Sequence, residues 1–518
     1  MRIRYSNALL WRGMDDEPEH CDFDVVSGLI SKPVGEANQI VDLGGKFVMP
    51  AFRDGHCHPL FAGREHVGPD VTYATNLAEI QRIVRDYAEA NPAIEWIDGA
   101  AYDRSIQASF TRQELDEVSS DRPIVLHGAD HHTLWVNTKA LELAGLMDEI
   151  PKVSAGSVDI DEAGVPTGVL REWEAMQFVM SKIPALSLEQ ELDALDWAQD
   201  RLLIAGVVEV QDAWIDRGMT EIYLESATRD RLRVTTNLAF RADPATWHDD
   251  FEYFDLMRTK VEALAHPALR ANAIKFFVDG VLGSSTASVV EPYLAGPAAH
   301  THGEQVWRRD QLIEAATEAT TRGYQLHLHA IGDAAVRTAL DVIELVGPVI
   351  PAVIAHTELV SDQDVPRFAK LGVTANFEPL WAREDGQLLS CVPQVGRSRI
   401  DTMYRMRDLT NAKAQLSFGS DWPVSSPVPL EGVATAVNRS LPGGAGWSLE
   451  QALTIREALV AYTSGVARQF GYAGTHGTLT YGEAAEFVVL SDNPFALSSE
   501  QLFDLRAIAV STVANPLN

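Results

Sequence analysis

One feature limits the folds open to this chain more than any other: eight short runs of β character recur along it, separated by stretches of helical pattern. They are AFRDGHCH at 51–58, GVVEVQD at 206–212, RVTTNLAF at 233–240, AIKFFVDG at 273–280, GYQLHLHA at 323–330, PAVIAHTE at 351–358, GVTANFEP at 372–379 and AQLSFGSD at 414–421. Segments such as RRDQLIEAATEATTRG and GDAAVRTALDVIELVG supply helices between them. Strands joined through helices run parallel, because each crossover returns the chain to the same end of the sheet, and eight is the number that closes a β/α barrel. An open, doubly wound sheet is the alternative, but neither a GxGxxG turn nor a phosphate-binding P-loop accompanies it.

The fold class expected is therefore α/β, a TIM-type (β/α)8 barrel carrying two additions. The length of 518 residues leaves room for them, since single cores stop growing near about 250–300 residues. Residues 1–48 read as short strands, and 461–518 hold a matching set around Glu486–Leu490 and RAIAVSTVAN. Neither end alone can bury a face, so the two are expected to pack as one discontinuous β-sandwich domain beside a barrel at 49–460. Residues 62–205 exceed one βα connection and are expected to form an inserted subdomain after the first strand.

Composition narrows the partners. Lys and Arg number 42 against 73 Asp and Glu, a net charge of −31, so the average field repels nucleic acid and anionic membranes. No apolar run is long enough to span a bilayer, and the N-terminal stretch lacks a signal-peptide pattern. Cys21, Cys57 and Cys391 cannot frame a chain of this length, which points to a reducing, cytoplasmic setting.

The histidines carry the chemistry. Of 15, His56 and His58 end the first run, His329 the fifth and His356 the sixth, and carboxyl ends of barrel strands form the rim of an active site. His56 and His58 stand at i and i+2, leaving one strand face together and able to aim at one ion. His327 shares the face of His329 but lies deeper; it is a layer histidine, an outer donor or a substrate contact. Asp333 is expected to orient His329 or to start the next helix, while Gly332 lets the backbone pass close. Glu358 is either a rim carboxylate or an ordinary loop residue. Lys275, an ammonium inside a barrel strand, must find a partner such as Asp279, stabilise substrate charge, or become carboxylated and bridge two cations. Asp421 ends the eighth run, where one oxygen can bind a divalent ion while the other takes a proton from water. Trp422-Pro423 stiffens the exit.

Read in order, VDLGGKFVMPAFRDGHCHP, GVVEVQD, IKFFVDG, LHLHAIGDAA, IAHTE, FGSDWPV and GTLTYGEAAEFVVL make the chain resemble the amidohydrolase superfamily. Within it the resemblance is to the YtcJ-like branch, amidohydrolase family 3, to which N-substituted formamide deformylases are related. The resemblance implies a metal-bearing barrel in which His56 and His58 are the first-strand ligands and Lys275 is the bridging, carboxylated lysine. His329 and His356 would be further ligands, and Asp421 both ligand and general base. Gly55 and Cys57 vary the usual wording of the first motif without removing a ligand.

The implied reaction is hydrolysis of a non-peptide C–N bond in a small organic amide, N-substituted formamide or cyclic amide by metal-activated hydroxide. Catalytic roles fall to Asp421, His356 and Lys275. One or two divalent ions are expected, zinc first, with manganese or iron compatible. A mononuclear version would use His56, His58, His329 and Asp421 and leave Lys275 an ammonium. His127, His131, His132, His327 and Trp422 are candidate substrate contacts, and assembly as a homodimer is compatible. A metal-dependent lyase or isomerase and a catalytically silent metal-binding scaffold are the alternatives.

Overall fold

The computed structural model describes residues 1–517 apart from 104–105, 107–108, 130–132, 154–155, 297, 473 and 475. All eight expected runs are strands, hydrogen-bonded in chain order into one parallel sheet. They are β1 (Phe52–Cys57), β2 (Val207–Ile215), β3 (Thr235–Arg241), β4 (Leu269–Phe277), β5 (Gln325–Ala330), β6 (Val353–His356), β7 (Thr374–Phe377) and β8 (Gln415–Phe418). Every residue of β1 and of β5 is buried. Helices cover one side of a barrel strand and the other strands fill the interior, so these runs show little alternation in sequence. The amphipathic pattern between β5 and β6 becomes the helix Asp333–Val346, which buries Val336, Ala339, Leu340 and Ile343 and ends at Gly347 with φ of 60°.

The barrel is closed by backbone just beyond the last ladder pairs. Asp421 N donates to His56 O at 2.7 Å, and His58 N donates to Trp422 O at 2.7 Å. So tight an approach requires glycine, because a Cβ at Gly419 would lie 2.8 Å from both Cβ and N of His56. Closure therefore seats the tail of β8 directly on the end of β1, and this sets Asp421 beside the paired histidines.

Both chain ends enter one seven-stranded sheet. Its joint is the antiparallel pair Phe47–Pro50 with Phe487–Leu490. Arg2–Leu10 pairs with Glu19–Val26 on one edge and divides the other between Gln39–Asp42 and Phe47–Pro50. The sandwich expected from sequence is thus realised as a single branched sheet, whose inner face carries Tyr5, Phe23 and Phe487 with ring centroids 5.0 to 5.5 Å apart. The return segment also supports the barrel: in the helix Ser464–Gln469, Gln469 Nε2 donates to Gly55 O at 2.7 Å.

Contacts divide the chain into one unit of residues 1–58 and 199–518, and a second of 59–198. The second holds a five-stranded sheet in the order Ser157–Ile160, Pro166–Arg171, Thr133–Val136, Ile124–Gly128, Ile97–Tyr102. This sheet was not foreseen from sequence, which pointed only to an inserted subdomain over 62–205. Among the described residues no helix is long and apolar enough to cross a membrane.

Candidate metal centre

The carboxyl ends of five barrel strands deliver side chains to one buried place. His56 (β1), His356 (β6) and Asp421 (after β8) each offer a ligand atom, all within 4.8 Å of one another. His58 Nε2 is 2.8 Å from Asp421 Oδ1, and Lys275 Nζ on β4 is 3.3 Å from His56 Nε2. The His329 ring lies 4.4 Å from the His356 ring, but its Nε2 turns to Gly280 O at 3.1 Å, so it stands beside the tightest cluster without entering it.

The backbone is strained where the side chains must turn inward. His356, Thr357 and Asp421 have φ of 72°, 49° and 53°, left-handed values that non-glycine residues adopt at a cost of order 1–3 kcal/mol each. The strands end at these points, so no ladder hydrogen bond is lost by the turn.

Charge explains what the site would accept. Among the described residues, six carboxylates are buried around it, Asp54, Asp212, Asp279, Glu358, Glu378 and Asp421, against one lysine, Lys275. Burial, with a smaller push from the charge of Glu378, raises the Asp54 carboxyl to about 7 against its hydrogen bonds from Ser420 and the His56 amide. Burial likewise brings Asp279 to about 7 and Glu358 to about 8. Burial would lower His58, but Asp212 and Asp421 overcome it and hold the imidazole up at about 9. Burial depresses His56, His327 and His329, and brings Lys275 down to about 8. Asp421 goes the other way: despite burial, hydrogen bonds from His56 and His58 keep it well below the ordinary carboxylate range. Converging imidazole and carboxylate atoms in an acid-rich, water-poor pocket fit a divalent cation, and the nitrogen and oxygen donors suit zinc, manganese or iron.

Outer partners differ from those expected. Asp333 does not orient His329; its oxygens accept from Val290 N and Ser361 Oγ at the start of its helix. The carboxylate near His329 is Asp279, at 3.7 Å from Nε2. Nor does Asp279 pair with Lys275, because its oxygens accept from the amides of Ser288, Ile331 and Gly332. Gly332 passes close to the Ser288 backbone, where a Cβ would meet Ser288 O at 1.9 Å. His327 Nε2 lies 3.0 Å from His56 Nδ1, which makes it an outer partner of His56 and removes that nitrogen from substrate contact.

His127 belongs to the second unit and pairs there with Asp98 at 3.0 Å. His131 and His132 lie outside the described residues. Trp422 is buried, and its carbonyl takes the His58 amide in the barrel closure. Two residues passed over in sequence complete the surroundings. Asp212 on β2 lies 3.8 Å from His58 Nδ1 and accepts from Tyr223 Oη at 2.6 Å. Glu378, directly after β7, meets His356 Nδ1 at 3.0 Å. The signal was present for Glu378, the one acidic residue of the run GVTANFEP; Asp212 shares its run GVVEVQD with Glu209, and sequence alone does not separate the two.

Residues 39–515 match the family model described as amidohydrolase family. The chain is 25% identical over 481 residues to the YtcJ amidohydrolase of Bacillus subtilis (strain 168), covering 89% of this chain and 87% of that protein. It is 25% identical over 482 residues to the N-substituted formamide deformylase of Arthrobacter pascens, covering 91% and 88%. Among solved structures, an uncharacterized metal-dependent hydrolase from Pyrococcus horikoshii OT3 superposes with a TM-score of 0.78 at 27% identity, covering 96% of this chain and 99% of that one.

Proposed function

Since the chain belongs to the amidohydrolase family, and is a hydrolase and an enzyme on that ground, we propose that the buried cluster at the barrel mouth is its active site. In this reading it cleaves a non-peptide C–N bond of an amide, an N-substituted formamide or a cyclic amide. The observation that carries the proposal is the convergence of His56, His356 and Asp421 from three separate strands within 4.8 Å. The formamide class is favoured by the deformylase relative. Neither the lyase or isomerase alternative nor the silent scaffold gains comparable support.

His56, His58, His329, His356, Lys275 and Asp421 would hold one or two divalent ions, zinc foremost. A cation bound there supplies a Lewis acid for the scissile carbonyl and makes water a stronger acid. The chain's own residues do the rest. Asp421 presents Oδ1 to His56 and His58, which leaves Oδ2 to accept the proton of the attacking water and return it to the departing nitrogen. Lys275, with its ammonium made easier to deprotonate by burial, has a neutral amine available to react with carbon dioxide; a carbamate forms at Nζ and one proton leaves. That modification would exchange a cation for an anionic oxygen donor between the two sides of the cluster. Trp214 against His58, Phe277 against His329 and Trp381 against His356 wall the imidazoles with aromatic rings and exclude water from them.

The test is turnover of a panel of N-substituted formamides, linear amides and cyclic amides by the zinc-, manganese- or iron-loaded protein in 18O-water, with products weighed by mass spectrometry. Metal-dependent release of an amine together with an 18O-labelled acid is expected. Products without solvent oxygen, or no turnover of any class at full metal loading, would refute the assignment. Metal analysis and the mass of the intact chain read the ion count and a carbamate on Lys275.

A further inference from the structure

We propose that Glu378 is a positioning residue of this centre, accepting the Nδ1 proton of His356 and so fixing the imidazole with Nε2 turned toward the ion. The inference rests on the reading of His356 as a ligand. Glu378 Oε2 is 3.0 Å from His356 Nδ1, and both side chains are almost fully buried. A carboxylate can only accept, so in a neutral imidazole the proton sits on Nδ1 and the lone pair on Nε2.

Three further observations agree. The left-handed φ of 72° at His356 means that the strand does not dictate where this ring points; a side-chain partner must. Trp381, whose amide donates to Glu378 O at 3.0 Å, lies over the same ring at 5.7 Å with an interplanar angle of 2°. The segment from Glu378 to Trp381 therefore holds His356 by one edge and one face. Finally, Glu378 Oε1 is buried without a hydrogen-bond partner among the described residues. A half-satisfied carboxylate in the interior is costly as packing alone, and its place is explained by what Oε2 does. The other imidazoles are backed differently: His56 by His327, His329 by the Gly280 carbonyl, and His58 by Asp212 at the longer distance of 3.8 Å.

The experiment measures zinc affinity by competition with a chromophoric chelator, on metal-depleted full-length wild type, Glu378→Gln, Glu378→Ala and Glu378→Leu. Circular dichroism melting of each metal-free variant checks that it is folded. The Gln variant keeps an oxygen that accepts from Nδ1 and should bind zinc within about threefold of wild type, whereas Ala and Leu should weaken binding by about 10- to 100-fold. Wild-type affinity in folded Ala or Leu variants overturns the proposal, as does a Gln variant that falls as far as they do. An independent reading needs no change at position 378. In 15N-histidine-labelled protein, the ring signal that disappears in His356→Gln should report a proton on Nδ1, and a proton on Nε2 overturns the proposal. If wild type binds no zinc, the ligand assignment fails instead, and the histidine spectrum still decides whether Glu378 sets the tautomer.

Discussion

Replacing Glu209 with alanine should destabilise the protein by about 3 kcal/mol while leaving the metal centre able to load. Glu209, near the start of β2, accepts from Arg53 Nε at 2.8 Å, from Arg270 at 2.9 Å and from Tyr472 Oη at 3.0 Å. The Arg53 side chain is only 2% exposed, so it cannot turn to water when its partner goes. Removing one member of a buried ion pair costs about 3–5 kcal/mol, most of it the charge left behind. Here the loss falls at the lower end. Arg53 keeps Glu486 at 2.6 Å, and Arg270, one third exposed, can rehydrate. The site should be spared because His56 and Asp212 lie three residues further along their strands, about 10 Å away. Urea unfolding followed by far-ultraviolet circular dichroism gives the stability, and elemental analysis gives the metal content. The triple variant Arg53→Met, Glu209→Leu, Glu486→Leu should recover part of the loss, since it removes the buried cation together with both of its carboxylate partners and leaves only Arg270, which can rehydrate. A loss below about 1 kcal/mol in Glu209→Ala, or a triple variant no better than the single, would refute the reasoning.

Three other outcomes follow from the same geometry. Asp421→Asn, compared at equal metal occupancy, should lower the single-turnover rate by about 10²- to 10⁴-fold with a smaller effect on substrate binding; an unchanged rate and pH profile would remove Asp421 as the base. Gly419→Ala forces a Cβ to within 2.8 Å of the His56 backbone, and should cost about 1–3 kcal/mol and weaken zinc binding by moving Asp421 off His58; retention of wild-type affinity would count against closure as the device that aligns the two. Glu457, bonded to Arg407 and to the Thr454 cap, is held down at about 2 although burial opposes this. Its contribution is present above the unfolded value of about 4.5 and is lost as the pH falls toward 2, so the gap between wild type and Glu457→Gln, about 1–2 kcal/mol after allowance for partial exposure, should narrow between about pH 5 and pH 2. A gap independent of pH in urea titrations would contradict it.

The barrel was legible because its strands are buried on both sides and interrupted by helices, and neither property depends on distant contacts. The five-stranded sheet of the second unit was not. Its strands are short, one of them has a partly exposed pattern at 157–160, and their pairing depends on residues far apart in sequence. Position at a strand end singled out His56, His58, His356 and Asp421, which the fold brings together, but it could not tell which nitrogen of an imidazole would face the proposed ion. His327 illustrates the limit. It shares a face with His329 two residues away, and only the three-dimensional register shows that it reaches His56. Asp333 shows a related limit: sequence left it either orienting His329 or starting the next helix, and the fold has it at the helix start, with its oxygens taken by Val290 N and Ser361 Oγ.

What position alone concealed is the aiming of the side chains, and the reason is conformational. A residue that ends a parallel strand and continues in the extended region would send its side chain on along the alternation of the strand. His356, the last residue of its strand, and Asp421, three residues beyond its own, instead take the left-handed region, and their side chains meet that of His56 across the mouth. Histidine and aspartate carry no signature of that turn, unlike glycine, so nothing in the local sequence announces it. The turn is paid for by neighbours: Asp421 N is caught by His56 O, and the His356 ring is held by Glu378 and Trp381. Each of these partners comes from another strand, or from the turn that follows one, than the residue it steadies. The centre is therefore specified by the closed barrel as a whole, so a substitution at Gly419 or Glu378, neither of which offers an atom to the tightest cluster, should disturb metal binding while much of the fold survives.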